Sequence, residues 1–199
     1  MPRFEGRQCV ALDAAERMFA KDGYGCATMR DIATAAEMSI SGLYHYLPSK
    51  QRALALVCER AFSALVESLA RALAASPVPR AQLLAFVHGH IDFVIRQPNA
   101  YRVLLHSMDA LAGTERIAVQ KLRRLYFERA VGLVATLQEA QPSPISPRVA
   151  TAALFGMMNW LPMWYHGRDE SDATHLAHVM VLLFLRGVVP SQALSETVS

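Results

Sequence analysis

The sequence has few cysteines, no long apolar run and no concentration of charge of one sign, and each lack narrows what the chain can be. Cys9, Cys26 and Cys58 are odd in number and carry no CxxC or metal-ligand spacing, so they are expected to be free thiols in a reducing compartment. The longest uninterrupted apolar run, Val179 to Leu185, is far shorter than the roughly 18 residues a membrane-spanning helix requires. No signal-peptide pattern opens the sequence, and a cytoplasmic protein with no membrane partner is expected. Net charge is +3, divided as +1 over residues 1–75 (nine Lys/Arg, eight Asp/Glu) and +2 over residues 76–199 (eleven and nine). A bulk basic patch is therefore missing, and any phosphate recognition must rest on local placement.

Catalytic signatures are missing too. There is no Gly-rich phosphate loop, no nucleophile elbow and no pair of carboxylates at a helical spacing suited to acid/base work, so an enzyme is disfavoured and no cofactor is expected. His88 and His90 are two residues apart and point to different faces of a helix, which makes them poor joint metal ligands. His175 and His178 share a face without a neighbouring carboxylate or cysteine, and no metal site is assigned.

What is present is a compact pattern between Thr28 and Lys50 that reads as two short helices joined by a tight turn. Thr28 can cap the first, Asp31 suits its positive end, and Ile32, Ala33 and Ala36 supply its apolar stripe. Ser39 can cap the second, after a connection of about three residues. That second helix carries Ser41, Gly42, Tyr44, His45 and Tyr46 around a single buried-type residue, Leu43. A helix so poor in core residues can be held by one face and offered to a DNA major groove by the other. No acid occurs between Glu37 and Glu59, while Lys50 and Arg52 give the segment the sign needed beside phosphate.

Leu43-Tyr44-His45-Tyr46-Leu47-Pro48-Ser49-Lys50, preceded by Thr28-Met29-Arg30-Asp31-Ile32-Ala33 and by the stretch from Ala11 through Phe19-Ala20-Lys21-Asp22-Gly23-Tyr24 to Gly25, resembles the N-terminal domain of the TetR family of bacterial transcriptional repressors. The resemblance covers about residues 7 to 60. One position departs from it: Glu37 stands at the turn where members of the family usually have Gly, and a left-handed conformation there costs a non-glycine residue on the order of 1 kcal/mol. The resemblance implies an all-α protein with an N-terminal three-helix DNA-binding domain containing a helix-turn-helix, and a C-terminal helical ligand-binding and dimerisation domain. Residues 1–50 would form the first, 51–75 a connecting helix, 76–190 the second and 191–199 a flexible tail. It also implies DNA contacts from Thr28, Arg30, Ser39, Ser41, Gly42, Tyr44, His45, Tyr46 and Lys50. Thr28, Lys50, Tyr44 and Tyr46 would position phosphates, and Ser39, Ser41, Gly42 and His45 would face base edges.

Along the rest of the chain, Val10, Leu12, Ala14, Ala15, Met18 and Phe19 predict a first helix over about 7–21, with Gly23 as its left-handed cap. Pro48 interrupts the reading segment, and Ser49 can cap a helix of about 50–75, roughly 38 Å long. Ser76-Pro77-Val78-Pro79 is the clearest boundary. Helices are then expected over about 79–97, 99–111, 115–139, 147–165 and 172–189, with a Pro/Ser linker from Gln141 to Pro147. The last two are apolar nearly all round, and such helices must be covered on more than one side. A homodimer through these two helices, an isologous four-helix bundle, is expected.

For a small-molecule effector, Phe86, His90, Phe93, Tyr101, Leu105, Tyr126, Phe127 and Trp160 combine bulky apolar area with a few polar tips. Asn159-Trp160-Leu161-Pro162-Met163-Trp164-Tyr165 and the later Phe184-Leu185-Arg186-Gly187 are similar to the C-terminal pattern of TetR-family regulators that sense acyl-CoA thioesters. That resemblance implies a hydrophobic or acyl-CoA-type effector, with Arg102, Arg123 or Arg124 meeting CoA phosphates. The expected function is a ligand-responsive repressor on a palindromic double-stranded operator. The alternative is a small-molecule-binding protein with lost or atypical DNA binding, for which Glu37 is the only hint.

Overall fold

The structure, a computed structural model, describes residues 2–140, 143–165 and 170–188, and all regular elements among them are helical. The expected tail over 191–199 and residues 141 and 142 of the expected linker lie outside the described residues. In order, the elements are α1 (Pro2–Cys26), α2 (Met29–Ala35), α3 (Ile40–Tyr46), α4 (Lys50–Ala74), α5 (Pro79–Arg96), α6 (Pro98–His106), a 3₁₀ turn η1 (Met108–Ala110), α7 (Gly113–Ala140), α8 (Pro147–Asn159), α9 (Leu161–Trp164) and α10 (Glu170–Val188).

Contacts group the chain into two compact units, whose limits fall inside α4, between α5 and α6, and inside α7. The first comprises residues 1–64 and 97–123, the second residues 65–96 and 124–199. Helix α6, η1 and the start of α7 group with the N-terminal helices.

In the first unit α1 packs against α2, α3 and α6. Its buried face is Ala11, Ala14, Ala15, Phe19 and Ala20, a stripe of mostly small residues that lets neighbouring helices approach closely. Val10, expected in that face, is instead exposed, since the buried arc is centred one residue further on. The helix is also longer than expected. Gly23 has φ 78° and ψ 156°, a glycine-only conformation distinct from the left-handed cap anticipated for it, and the helical assignment resumes to Cys26.

The second unit is built on α5, which packs against α10 and α8, with α8 also against α9 and α10. Gly89 of α5 lies so near α4 that a Cβ there would meet the Ser68 hydroxyl, which would have to turn away to admit a larger residue. Pro79 begins α5, and Pro98 stands in the first turn of α6 where its missing N–H costs nothing.

Two expected helices are shorter than their sequence patterns. The helix expected over 99–111 ends at His106, and the chain tightens into η1, in which Ala110 and Leu111 donate to the carbonyls of Ser107 and Met108 (both 3.1 Å). Leu111 then takes an extended conformation and is buried. The helix expected over 147–165 breaks at Trp160, because Pro162 can donate no hydrogen bond to the carbonyl four residues back, and the chain restarts as α9.

Candidate DNA-binding site and effector region

The reading segment is fixed by its caps. Thr28 and Asp31 form a reciprocal box: the Asp31 N–H donates to Thr28 Oγ1 (3.2 Å), while the Thr28 N–H and hydroxyl donate to Asp31 Oδ2 (2.9 and 2.6 Å). These bonds hold the Asp31 carboxyl below its ordinary pKa. They also occupy the Thr28 hydroxyl proton, so a phosphate would have to be met by other donors of this turn.

The turn between α2 and α3 closes as a helix-terminating loop. The Glu37 N–H donates to the Thr34 carbonyl (3.1 Å) and the Met38 N–H to the Ala33 carbonyl (2.9 Å), the bond pair that usually has a left-handed glycine at its centre. Here that residue is Glu37, with φ 53°, the sole non-glycine among the described residues with positive φ. The turn anticipated from sequence forms with the unfavourable residue in it.

Helix α3 is then capped by Ser39 Oγ, which accepts from the Gly42 N–H (3.1 Å) and lies 3.3 Å from Ser41 Oγ. A Cβ at Gly42 would approach that capping oxygen at 3.0 Å, which gives the small residue here a local reason as well as the one argued from groove approach. Leu43 and Leu47 are fully buried and anchor the helix. Ser41, Tyr44 and His45 face outward, Tyr46 is half-buried with its ring edge-on to His45, and Arg30 is exposed on α2. One side of α3 is thus held in the core, and the other offers hydroxyls, an imidazole and phenols.

Lys50 also makes contacts within this unit. Its Nζ donates to the Gly25 carbonyl (3.2 Å) and sits 4.4 Å from the centroid of the Tyr24 ring, so the ammonium ties the start of α4 to the end of α1. Two of its three donors remain for other partners. The Arg17 guanidinium donates to the Ala35 carbonyl (3.3 Å), and Arg60 bridges Asp13 and Glu16 (both 2.6 Å), further ties within this unit.

Of the expected effector residues, the second unit brings Phe86, His90, Tyr126 and Phe127 together. Their common neighbour is Phe155 of α8, whose ring centroid lies 5.4–5.9 Å from those of all four. His90 is buried, its Nδ1 is 2.9 Å from the Tyr126 hydroxyl, and Asn159 supplies a second hydrogen bond. Burial, opposed by the Asn159 bond, pushes the His90 pKa down to about 4, so the ring is neutral near pH 7. Phe93 is buried in α5. Arg148 lies over the Phe127 ring (5.2 Å to the centroid) and grips Glu128 through both terminal nitrogens (2.8 and 3.0 Å).

Tyr101, Arg102, Leu105 and Arg123 belong to the first unit. Tyr101 is buried, and the Arg102 guanidinium donates to the Ala20 carbonyl (3.4 Å). Trp160, at the junction of α8 and α9, is 63% exposed and is not among the rings around Phe155. Phe155 is not singled out by the sequence, because it lies in a continuous apolar stretch where nothing separates a cluster's hub from ordinary core; Asn159 enters there only through the Asn159–Tyr165 pattern.

Residues 11–54 match the family described as bacterial regulatory proteins, tetR family, and residues 76–188 match the tetracyclin repressor-like C-terminal domain. The transcriptional repressor KstR of Mycobacterium tuberculosis is 32% identical over 170 residues, 83% of this chain and 76% of that protein. The chain belongs to the TetR family. A TetR-family regulator from Bordetella parapertussis shares the fold with a TM-score of 0.81 and 27% identity, over 92% of this chain and 98% of that one. AibR, crystallised with isovaleryl coenzyme A and operator DNA, shares the fold alone at 24% identity, with a TM-score of 0.78 over 89% and 97% of the two chains.

As a TetR-family member the chain is a regulatory DNA-binding protein and not an enzyme, with its helix-turn-helix in α2 and α3. Among the described residues no group of three or more His, Cys, Asp or Glu could hold a metal, and no helix is long and apolar enough to cross a membrane. Cys58 is buried, and that burial pushes its thiol up to about 12, which leaves it unreactive; Cys9 and Cys26 are exposed.

Proposed function

We propose that the protein is a ligand-responsive transcriptional repressor that binds a palindromic DNA operator as a homodimer and is released by a small hydrophobic or acyl-CoA-type effector. The observation that carries this reading is α3 itself, with Leu43 and Leu47 buried on one side and Ser41, Tyr44 and His45 exposed on the other. Residues 1–50 are the DNA-binding segment, residues 51–75 connect, and residues 76–190 bind ligand and dimerise. Arg30, Tyr44, Tyr46 and Lys50 meet phosphates, while Ser39, Ser41, Gly42 and His45 lie toward the bases.

A homodimer through α8 and α10 is supported by the apolar side chains these helices leave exposed. Val149, Leu182 and Leu183 are 61%, 50% and 59% exposed, an arrangement that a second copy would cover. Two-fold symmetry then sets the half-sites about 34–36 Å apart, or a multiple of that. The aromatic cluster around Phe155 is the apolar end of the effector site, with Arg124, of the same unit, as its candidate phosphate partner. The repressor name of the KstR relative and the isovaleryl coenzyme A bound by AibR guide the choice of ligands to test.

The experiment is binding of the purified protein to DNA flanking its own gene, by fluorescence anisotropy at two salt concentrations, with and without a panel of acyl-CoAs. Site-selective binding reversed by one compound is the expected result. Binding that is weak and blind to sequence would refute the DNA-reading role of α3. Acyl-CoA affinities unchanged by Arg124→Ala would refute the phosphate assignment.

A further inference from the structure

Gln51, the second residue of α4, makes a pairing that the sequence does not announce. Its carboxamide Nε2 donates to the Ala110 carbonyl (2.8 Å), and its Oε1 accepts from the Ala112 N–H (3.3 Å). These two backbone groups flank Leu111, which is extended (φ −69°, ψ 141°) and has its side chain buried. An extended residue turns the preceding carbonyl and the following N–H to the same side, so one planar amide can satisfy both, as a neighbouring strand would. The partners are 59 and 61 positions apart in sequence, and all of them lie in the first unit.

Two further ties converge on the same point. Gln51 also hydrogen-bonds the Tyr24 side chain, which in turn lies beneath the Lys50 ammonium. Glu115, in the first turn of α7, is close enough to Arg52 for their charges to attract. The end of α1, the start of α4 and the link between η1 and α7 thus meet at Gln51. Only Leu47, Pro48, Ser49 and Lys50 separate Gln51 from α3.

We propose that Gln51 is a positioning residue for DNA binding: through its carboxamide, the link between η1 and α7 sets the pose of the first turn of α4 and, with it, of α3. This rests on the DNA-binding reading of α3. The pairing fixes a direction as well as a distance, because a bidentate amide resists rotation of α4 about its axis in a way that a single hydrogen bond cannot. Gln51 need not touch DNA to act, and its loss should blur sequence preference without removing a phosphate contact.

The test uses a duplex selected by the wild-type protein from a random-sequence pool, and a scrambled duplex of the same composition. Gln51→Met keeps the length of the side chain and loses both backbone bonds, while Gln51→Glu keeps an acceptor for the Ala112 N–H and loses the donor to Ala110. Affinities for both duplexes, their salt dependence, and hydrogen exchange at the Ala112 amide are measured. The expected result for Gln51→Met is faster exchange at Ala112, about a tenfold loss in the ratio of the two affinities and an unchanged salt slope, with Gln51→Glu between it and wild type. Faster exchange with a ratio within twofold of wild type would overturn the proposal, and so would unchanged exchange at Ala112. If Gln51→Met does not fold, the same readouts on Gln51→Glu decide. A wild-type protein that enriches no duplex would instead refute the DNA-binding reading beneath it.

Discussion

His90 makes the stability of the second unit depend on pH in a calculable way. Its ordinary value is 6.5 and its folded value about 4, because the charged ring would lose its water among Phe86, Phe155 and Tyr126. Between those values the unfolded chain takes up a proton that the folded chain does not. Stability is therefore full above pH 6.5 and falls as pH drops toward 4. At pH 5 the linkage relation gives a loss of about 2 kcal/mol relative to pH 8, approaching about 3 kcal/mol at pH 4. For a chain of this length that corresponds to a fall in Tm of about 4–8 °C by pH 5. The assay is thermal unfolding at fixed protein concentration, since a dimer's Tm depends on it. His90→Gln supplies the comparison: the amide can still hydrogen-bond Tyr126 and cannot titrate. The drop from pH 8 to pH 5 should be smaller in His90→Gln by several degrees. Equal drops in the two proteins would refute the reasoning, since the loss would then come from other groups.

Three further outcomes are expected. Glu37→Gly relieves a left-handed residue at the cost of a more flexible unfolded chain, for a net gain of about 0.5–1 kcal/mol, read as a rise in Tm of about 1–4 °C; a fall would show that Glu37 is not strained. Ser39→Ala removes the acceptor for the Gly42 N–H and should cost about 1 kcal/mol, lowering Tm by about 2–4 °C, and an unchanged Tm would mean the cap contributes nothing. Lys50→Met loses the ties to Gly25 and Tyr24 and should lower stability by about 1 kcal/mol. It should also reduce the slope of log affinity against log salt by about one, and an unchanged slope would leave Lys50 as a purely internal tie.

The parts of this protein legible in its sequence are those whose physics is local. Thr28, Ser39, Ser49 and Pro79 mark helix starts because a cap or a missing N–H acts within a turn of the residue that supplies it, and each stands at or beside the start of a helix. Glu37 was legible for the same reason: a turn of fixed length demands a left-handed residue whatever lies around it, and φ there is 53°. The limits of local reasoning appear at Lys50, Gln51 and Phe155. A lysine just after a reading helix has the charge for phosphate, yet its ammonium is held by Tyr24 and Gly25, partners brought near only by the packing of α1 against α2 and α3. Gln51 lies on the surface of a helix like any other glutamine, and its role depends on an extended residue some sixty positions away. Phe155 could be read as apolar but not as the centre of four other rings, because periodicity gives the face of a helix and not the neighbour that the face will meet. The effector region suffers most from this, since residue type alone marks its candidates across the chain and the fold divides them between two units. The helix-turn-helix suffers least, because its function is performed by a segment short enough for local rules to specify.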